Sequence, residues 1–94
     1  MLSRGWNFAG ESGIEDMTSQ AYILIEGAAG TIPSIQRQIT GIEGVRSCLA
    51  VTGKFDLVAL VEGSDHNDLG RISFTKIQRL EGVLRTVTCN VIDL

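Results

Sequence analysis

The groups in this chain that could do acid–base, nucleophilic or metal chemistry are few: one histidine, two cysteines and eleven acidic side chains. His66 sits among Ser64, Asp65, Asn67 and Asp68. Those neighbours read as the solvated start of a helix, where carboxylates favour the positive end of the dipole. They do not supply the donor set of a metal site. Cys48 and Cys89 fall in mid-strand with no C-x-x-C spacing, and read as small core hydrophobes. No Ser/His/Asp arrangement, glycine-rich phosphate loop or close carboxylate pair is present, so no catalytic or metal-binding residue is assigned and no cofactor is expected.

The informative segment is Val51-Thr52-Gly53-Lys54-Phe55-Asp56-Leu57. Gly53-Lys54 suits a two-residue hairpin turn with glycine first, and on that account Asp56 merely faces water. A second account takes Phe55 and Asp56 together. A carboxylate beside an aromatic ring can hold an ammonium group, one by charge and the other by its ring face. The polar row Thr86, Thr88, Asn90 can add hydroxyl and amide partners. A small zwitterion such as an amino acid fits that inventory, while the plain turn explains Gly53 without it.

Regular elements must position these residues, and their periods are clear. Ala21–Glu26 reads as a strand closed by Gly27. Thr31 can cap a helix carrying Ile32, Ile35, Ile39 and Ile42 on one stripe, with Pro33 in its first turn and Gly41 and Gly44 at its exit. Val45–Thr52 and Phe55–Glu62 read as two further strands. Ser64 or Asp65 caps a second helix running to Leu80, with Leu69, Ile72, Ile77 and Leu80 inward, and Gly82 stops it. Val83–Asp93 is the last strand. An I-x-x-(I/L)-E-G-V pattern at Ile39–Val45 returns at Ile77–Val83, displaced by 38 residues (77 − 39). The order βαββαβ, built from two similar halves, predicts an α+β, ferredoxin-like fold: an antiparallel four-stranded sheet with two helices on one face.

Composition sets the bounds. Ninety-four residues with 44 % apolar side chains make one domain, residues 19–94, preceded by a tail over residues 1–18. The tail is acidic and glycine-containing, without a helical or alternating period, and reads as a flexible terminus; Met17 is a candidate natural start. Trp6 and Phe8 give it a second reading, as an arm that docks on a neighbouring subunit. Eight basic residues against eleven acidic ones disfavour direct nucleic-acid binding. No apolar run approaches the roughly 20 residues of a membrane span, and nothing resembles a signal peptide. A cytoplasmic domain is the expectation.

Two helices cover one side of such a sheet, yet the other side does not alternate to polar as a half-solvated sheet would. In the first strand Tyr22 and Leu24 oppose Ile23 and Ile25. In the third, Phe55, Leu57, Ala59 and Val61 oppose Asp56, Val58 and Leu60; in the second, Leu49 and Val51 oppose Cys48 and Ala50. An apolar face of that size exceeds what a soluble monomer normally exposes. The expected solution is a homodimer packed sheet to sheet, a dimeric α/β barrel.

Taken together, Tyr22-Ile23-Leu24-Ile25, I-x-x-I-E-G-V, V-T-G-K-F-D-L-V and K-I-Q-R-L-E-G-V-L-R-T-V-T resemble the effector-sensing half of the Lrp/AsnC transcription regulators, the RAM domain. The resemblance covers about residues 20–94. It implies sheet-on-sheet dimers, rings of dimers such as octamers, and amino-acid effectors in clefts between dimers. The positions matching its effector site are Gly53, Lys54, Phe55, Asp56, Thr86 and Thr88. Phe55 stands where the family often has tyrosine, which removes a hydroxyl. The residues before the domain are too few and too irregular for the family's helix-turn-helix. The expectation is therefore a stand-alone, non-enzymatic module that senses an effector or modulates full-length relatives by mixed assembly, with a regulatory role in transcription or amino-acid metabolism. The rival expectation is a small dimeric α/β-barrel enzyme of the monooxygenase type, which would need a cavity inside each protomer.

Overall fold

The computed structural model describes residues 18–94; the expectations for the tail, Trp6 and Phe8 included, concern residues outside that range. Strands β1 (Ser19–Gly27), β2 (Val45–Ala50), β3 (Leu57–Gly63) and β4 (Val83–Asn90), with helices α1 (Ile32–Thr40) and α2 (His66–Ile72), follow the order βαββαβ. The sheet is antiparallel, in the spatial order β2-β3-β1-β4. This is the ferredoxin-like arrangement the periodicities predict.

The core lies between the sheet and the helices. Ala21, Ile23 and Ile25 have no exposed surface, and neither do their β3 partners Val61, Ala59 and Leu57. Ile35 and Ile39 from α1 and Leu69 and Ile72 from α2 close over them, the apolar stripes meeting the apolar row. Cys48 belongs to this layer; burial pushes its thiol pKa up.

Local chemistry sets the boundaries. Asp65 caps α2 by accepting the Asp68 backbone N–H at 2.8 Å. Thr31 occupies the N-cap position of α1 without a side-chain cap; its hydroxyl instead donates to the Ala28 carbonyl at 2.6 Å. The loop leaving β1 is held by the Ala28 N–H donating to the Gly82 carbonyl at 2.8 Å. Gly82 has φ +99°, and a Cβ there would lie 2.7 Å from the Thr31 hydroxyl oxygen, so the crossing requires glycine.

The second helix departs from expectation. It is α-helical only to Ile72 and continues as a π-helical turn, Ser73–Ile77. The two halves explain it. Leu69 follows Ile32, and Ile72 follows Ile35, by 37 residues, whereas Ile77 follows Ile39 by 38. The inward spacing thus widens from 3-4-3 to 3-5-3, and a turn closed five residues apart, with the Gln78 N–H on the Ser73 carbonyl at 2.9 Å, keeps Ile77 fully buried.

Candidate functional site

The hairpin between β2 and β3 is longer than a two-residue turn. Ala50 pairs with Leu57, leaving residues 51–56 between the strands, and the Val51 N–H donates to the Asp56 carbonyl at 3.0 Å. Gly53, at φ +107°, and Lys54 form the exposed tip, with open space around the glycine. Asp56 does not simply face water. Its N–H donates to the Ile25 carbonyl at 2.8 Å, and its carboxylate accepts the Gly27 N–H at 2.9 Å. The residue fastens the base of the hairpin to the exit of β1, where the β1–β4 register shifts.

Phe55 precedes β3 instead of belonging to its buried row, and its ring lies beneath Arg85 of β4, whose guanidinium carbon is 5.0 Å from the ring centroid. Arg85 in turn donates from Nε to Glu26 at 3.2 Å, its register partner across the β1–β4 ladder. Hairpin, β1 and β4 therefore meet at one end of the sheet in a cluster of Phe55, Arg85 and Glu26. Arg85 and Glu26 were not among the residues singled out from sequence. The available signal was weak: a charge next to Thr86, with no indication of which strand would lie beside it.

Thr86 and Thr88 stand apart from that cluster. Thr86 pairs with Ile25 and Thr88 with Ile23, so both lie on the helix side of β4. Thr86 accepts from the Gln78 amide at 2.8 Å, and the Thr88 hydroxyl is 3.5 Å from that of Ser73. With β1 between β3 and β4, Thr86 is two strand spacings, roughly 10 Å, from the β3 row. One protomer thus does not gather all six candidate residues at a single point.

No helix among the described residues lies over the opposite sheet face. Leu49 is 62 % exposed and Tyr22 37 %, with Leu24, Val58 and Val87 half-buried beside them. Cys89 pairs with Tyr22 on this face and is exposed, so it is not the core hydrophobe its mid-strand position suggests. Leu60 shares the row but is already largely covered.

Two concavities lie at the far end of β3 from the hairpin. One, of about 470 Å³, adjoins Thr18, Arg46 and Gly63; the other, of about 680 Å³, adjoins Glu43, Arg71 and Lys76. Their inner carboxylates are engaged: Glu62 pairs with Arg46 at 2.9 Å, and Asp68 with Arg71. Arg71, together with the Ser64 backbone N–H, holds the Asp68 carboxyl below the usual range. His66 is exposed on the first turn of α2, and no group of three metal-ligating side chains occurs among the described residues. The layer between helices and sheet is filled by aliphatic side chains. No helix among the described residues is long and apolar enough to cross a membrane.

Comparison with known proteins gives a consistent set of likenesses. The family model described as the Lrp/AsnC ligand binding domain matches residues 20–93. An HTH-type transcriptional regulator of Pyrococcus horikoshii, PH1916, is 33% identical over 76 residues, covering 78% of this chain and 51% of the regulator; the chain spans about half the length of that relative. Among solved structures, TTHA0845 from Thermus thermophilus superposes with a TM-score of 0.77 at 32% identity, covering 81% of this chain and 95% of that one. The transcriptional regulator NMB0573 of Neisseria meningitidis, solved as a complex with L-Met, has the same fold at 20% identity, with a TM-score of 0.72 over 99% of this chain and 56% of that one.

Proposed function

The chain belongs to the Lrp/AsnC ligand-binding domain family, and on that footing we propose that it is a self-associating, amino-acid-responsive regulatory module, neither an enzyme nor a direct reader of nucleic acid. The observation that carries the association is the apolar face formed by Tyr22, Leu24, Leu49, Val58 and Val87, which no helix among the described residues covers. Burying a large aliphatic side chain contributes about 1.5–3 kcal/mol, and two copies laid sheet to sheet remove these residues from water together. The effector reading draws support from the hairpin. Its exposed glycine tip stands on an anchored base, beside a cluster that carries both signs of charge. The amino-acid class is supported by the L-Met complex of the Neisseria regulator.

In this reading the effector lies against Gly53, Lys54 and Phe55, where one dimer meets the next in a ring. Asp56 holds the hairpin in place. Thr86 and Thr88 contribute only from a neighbouring copy, because within one protomer they lie on the helix side of the sheet. The module acts on transcription or amino-acid metabolism in the cytoplasm, alone or mixed with full-length relatives. Multi-angle light scattering with and without each of the twenty amino acids tests it. A dimer or ring of dimers whose mass or melting temperature responds to at least one of them is expected. A monomer at micromolar concentration, indifferent to all twenty, would refute it.

A further inference from the structure

We propose that Arg85, laid on the ring of Phe55, takes the carboxylate of the effector while Glu26 takes its ammonium group, an assignment that rests on the effector reading above. The geometry reverses the simplest expectation for this segment, in which the aromatic face receives the ligand's cation. That face is already filled: the Arg85 guanidinium lies 5.0 Å from the Phe55 centroid. An arriving ammonium group finds the Arg85 guanidinium seated over the ring and would have to displace it from that face.

Arg85 has donors to spare. Its Nε–H reaches Glu26 at 3.2 Å, and the four terminal N–H groups have no protein partner among the described residues. A guanidinium presents those donors as a planar fork matched to the two oxygens of a carboxylate. The contact with Phe55 restrains the side chain, so less freedom is lost when the fork is filled. Glu26 is a replaceable partner: in the single chain both side chains of the pair are more than two-fifths exposed, at the hairpin end of the face that carries Leu24 and Val87, and ion pairs of that kind contribute little. A free zwitterion can exchange this one contact for two, its carboxylate on Arg85 and its ammonium on Glu26. Asp56, committed to the Gly27 N–H, is then a positioning residue and not the ammonium partner.

The same fork could serve a carboxylate from a second copy of the chain, and the experiment separates the two sources. The full chain is titrated calorimetrically with the best-binding amino acid from the panel of twenty, and with the corresponding amino alcohol, which keeps the ammonium and side chain but lacks the carboxylate. Arg85→Gln and Arg85→Lys are titrated in parallel, and each is sedimented to read its assembly. The amino alcohol should bind at least tenfold more weakly than the acid. Arg85→Gln should lose about tenfold to a hundredfold in affinity for the acid, and Arg85→Lys less, with dimers intact in both. Equal binding of acid and amino alcohol, or an undiminished Arg85→Gln, would overturn the assignment while leaving the effector reading in place. Dissociation of Arg85→Gln to protomers would overturn it in favour of a carboxylate from the second copy. Failure of all twenty amino acids to bind the unaltered chain would remove the effector reading, and this assignment with it.

Discussion

Replacing Leu49 by alanine gives the sharpest test of how this sheet is covered. Leu49 lies on the helix-free face of the edge strand β2 and is 62 % exposed in the single chain. Complete burial of leucine contributes about 1.5–3 kcal/mol, so covering the exposed part contributes about 1–2 kcal/mol per copy. A two-fold symmetric dimer uses the residue twice. Leu49→Ala should therefore weaken association by about 2–4 kcal/mol, a rise in dissociation constant of roughly 30- to 700-fold. The fold should survive, because the protomer itself barely uses this side chain. Sedimentation equilibrium over a concentration series measures the constant, and far-UV circular dichroism confirms the fold. Phe74→Ala is the control: Phe74 is 71 % exposed but sits in the helical layer, and its loss should leave the dimer constant unchanged. An unaltered constant for Leu49→Ala, with a raised one for Phe74→Ala, would mean that the helices and not the open sheet face make the contact.

Two further outcomes can be checked directly. Gly82→Ala forces a side chain into φ +99° and within 2.7 Å of the Thr31 hydroxyl oxygen, and should destabilise the domain by about 1–3 kcal/mol, read as a lower urea midpoint with an unchanged slope. The two thiols should differ in alkylation. Cys48 resists at pH 8 until the chain is unfolded, because burial raises its pKa and hides it. Cys89 should react in proportion to the monomer present, so dilution ought to speed its labelling; a rate independent of concentration would place Cys89 outside the dimer interface.

Much of the fold was legible in the sequence because its signals are local. The stripe Ile32, Ile35, Ile39, Ile42 and the alternation through Tyr22–Ile25 each declare a period within a few residues, and the glycines mark where those periods stop. Face assignments within strands held wherever the alternation was unbroken, as in Ile23, Ile25, Leu57 and Ala59. They failed at Phe55, because the chain bends at Asp56 before β3 begins. The candidate site was legible only in part. Its hairpin is a contiguous motif, but the contact of Phe55 with Arg85 joins residues thirty apart through two loops and the register of a third strand. No local period encodes such a meeting. The role of Asp56 was hidden for the same reason, since its partner is a backbone N–H on another strand.

The widened turn at Ser73–Ile77 also bears on how the two halves can drift apart in length. A strand that gains one residue presents every later side chain to the wrong side unless a bulge takes it up, as at the register shifts beside Gly27 and Val45 near the strand ends. A helix that gains one can bulge locally and resume its phase, as this one does between Ile72 and Ile77. Single-residue insertions and deletions that persist through duplication and divergence of such a fold should therefore collect in the helices, the hairpin tips and the bulged ends of strands, leaving the middles of the strands in register.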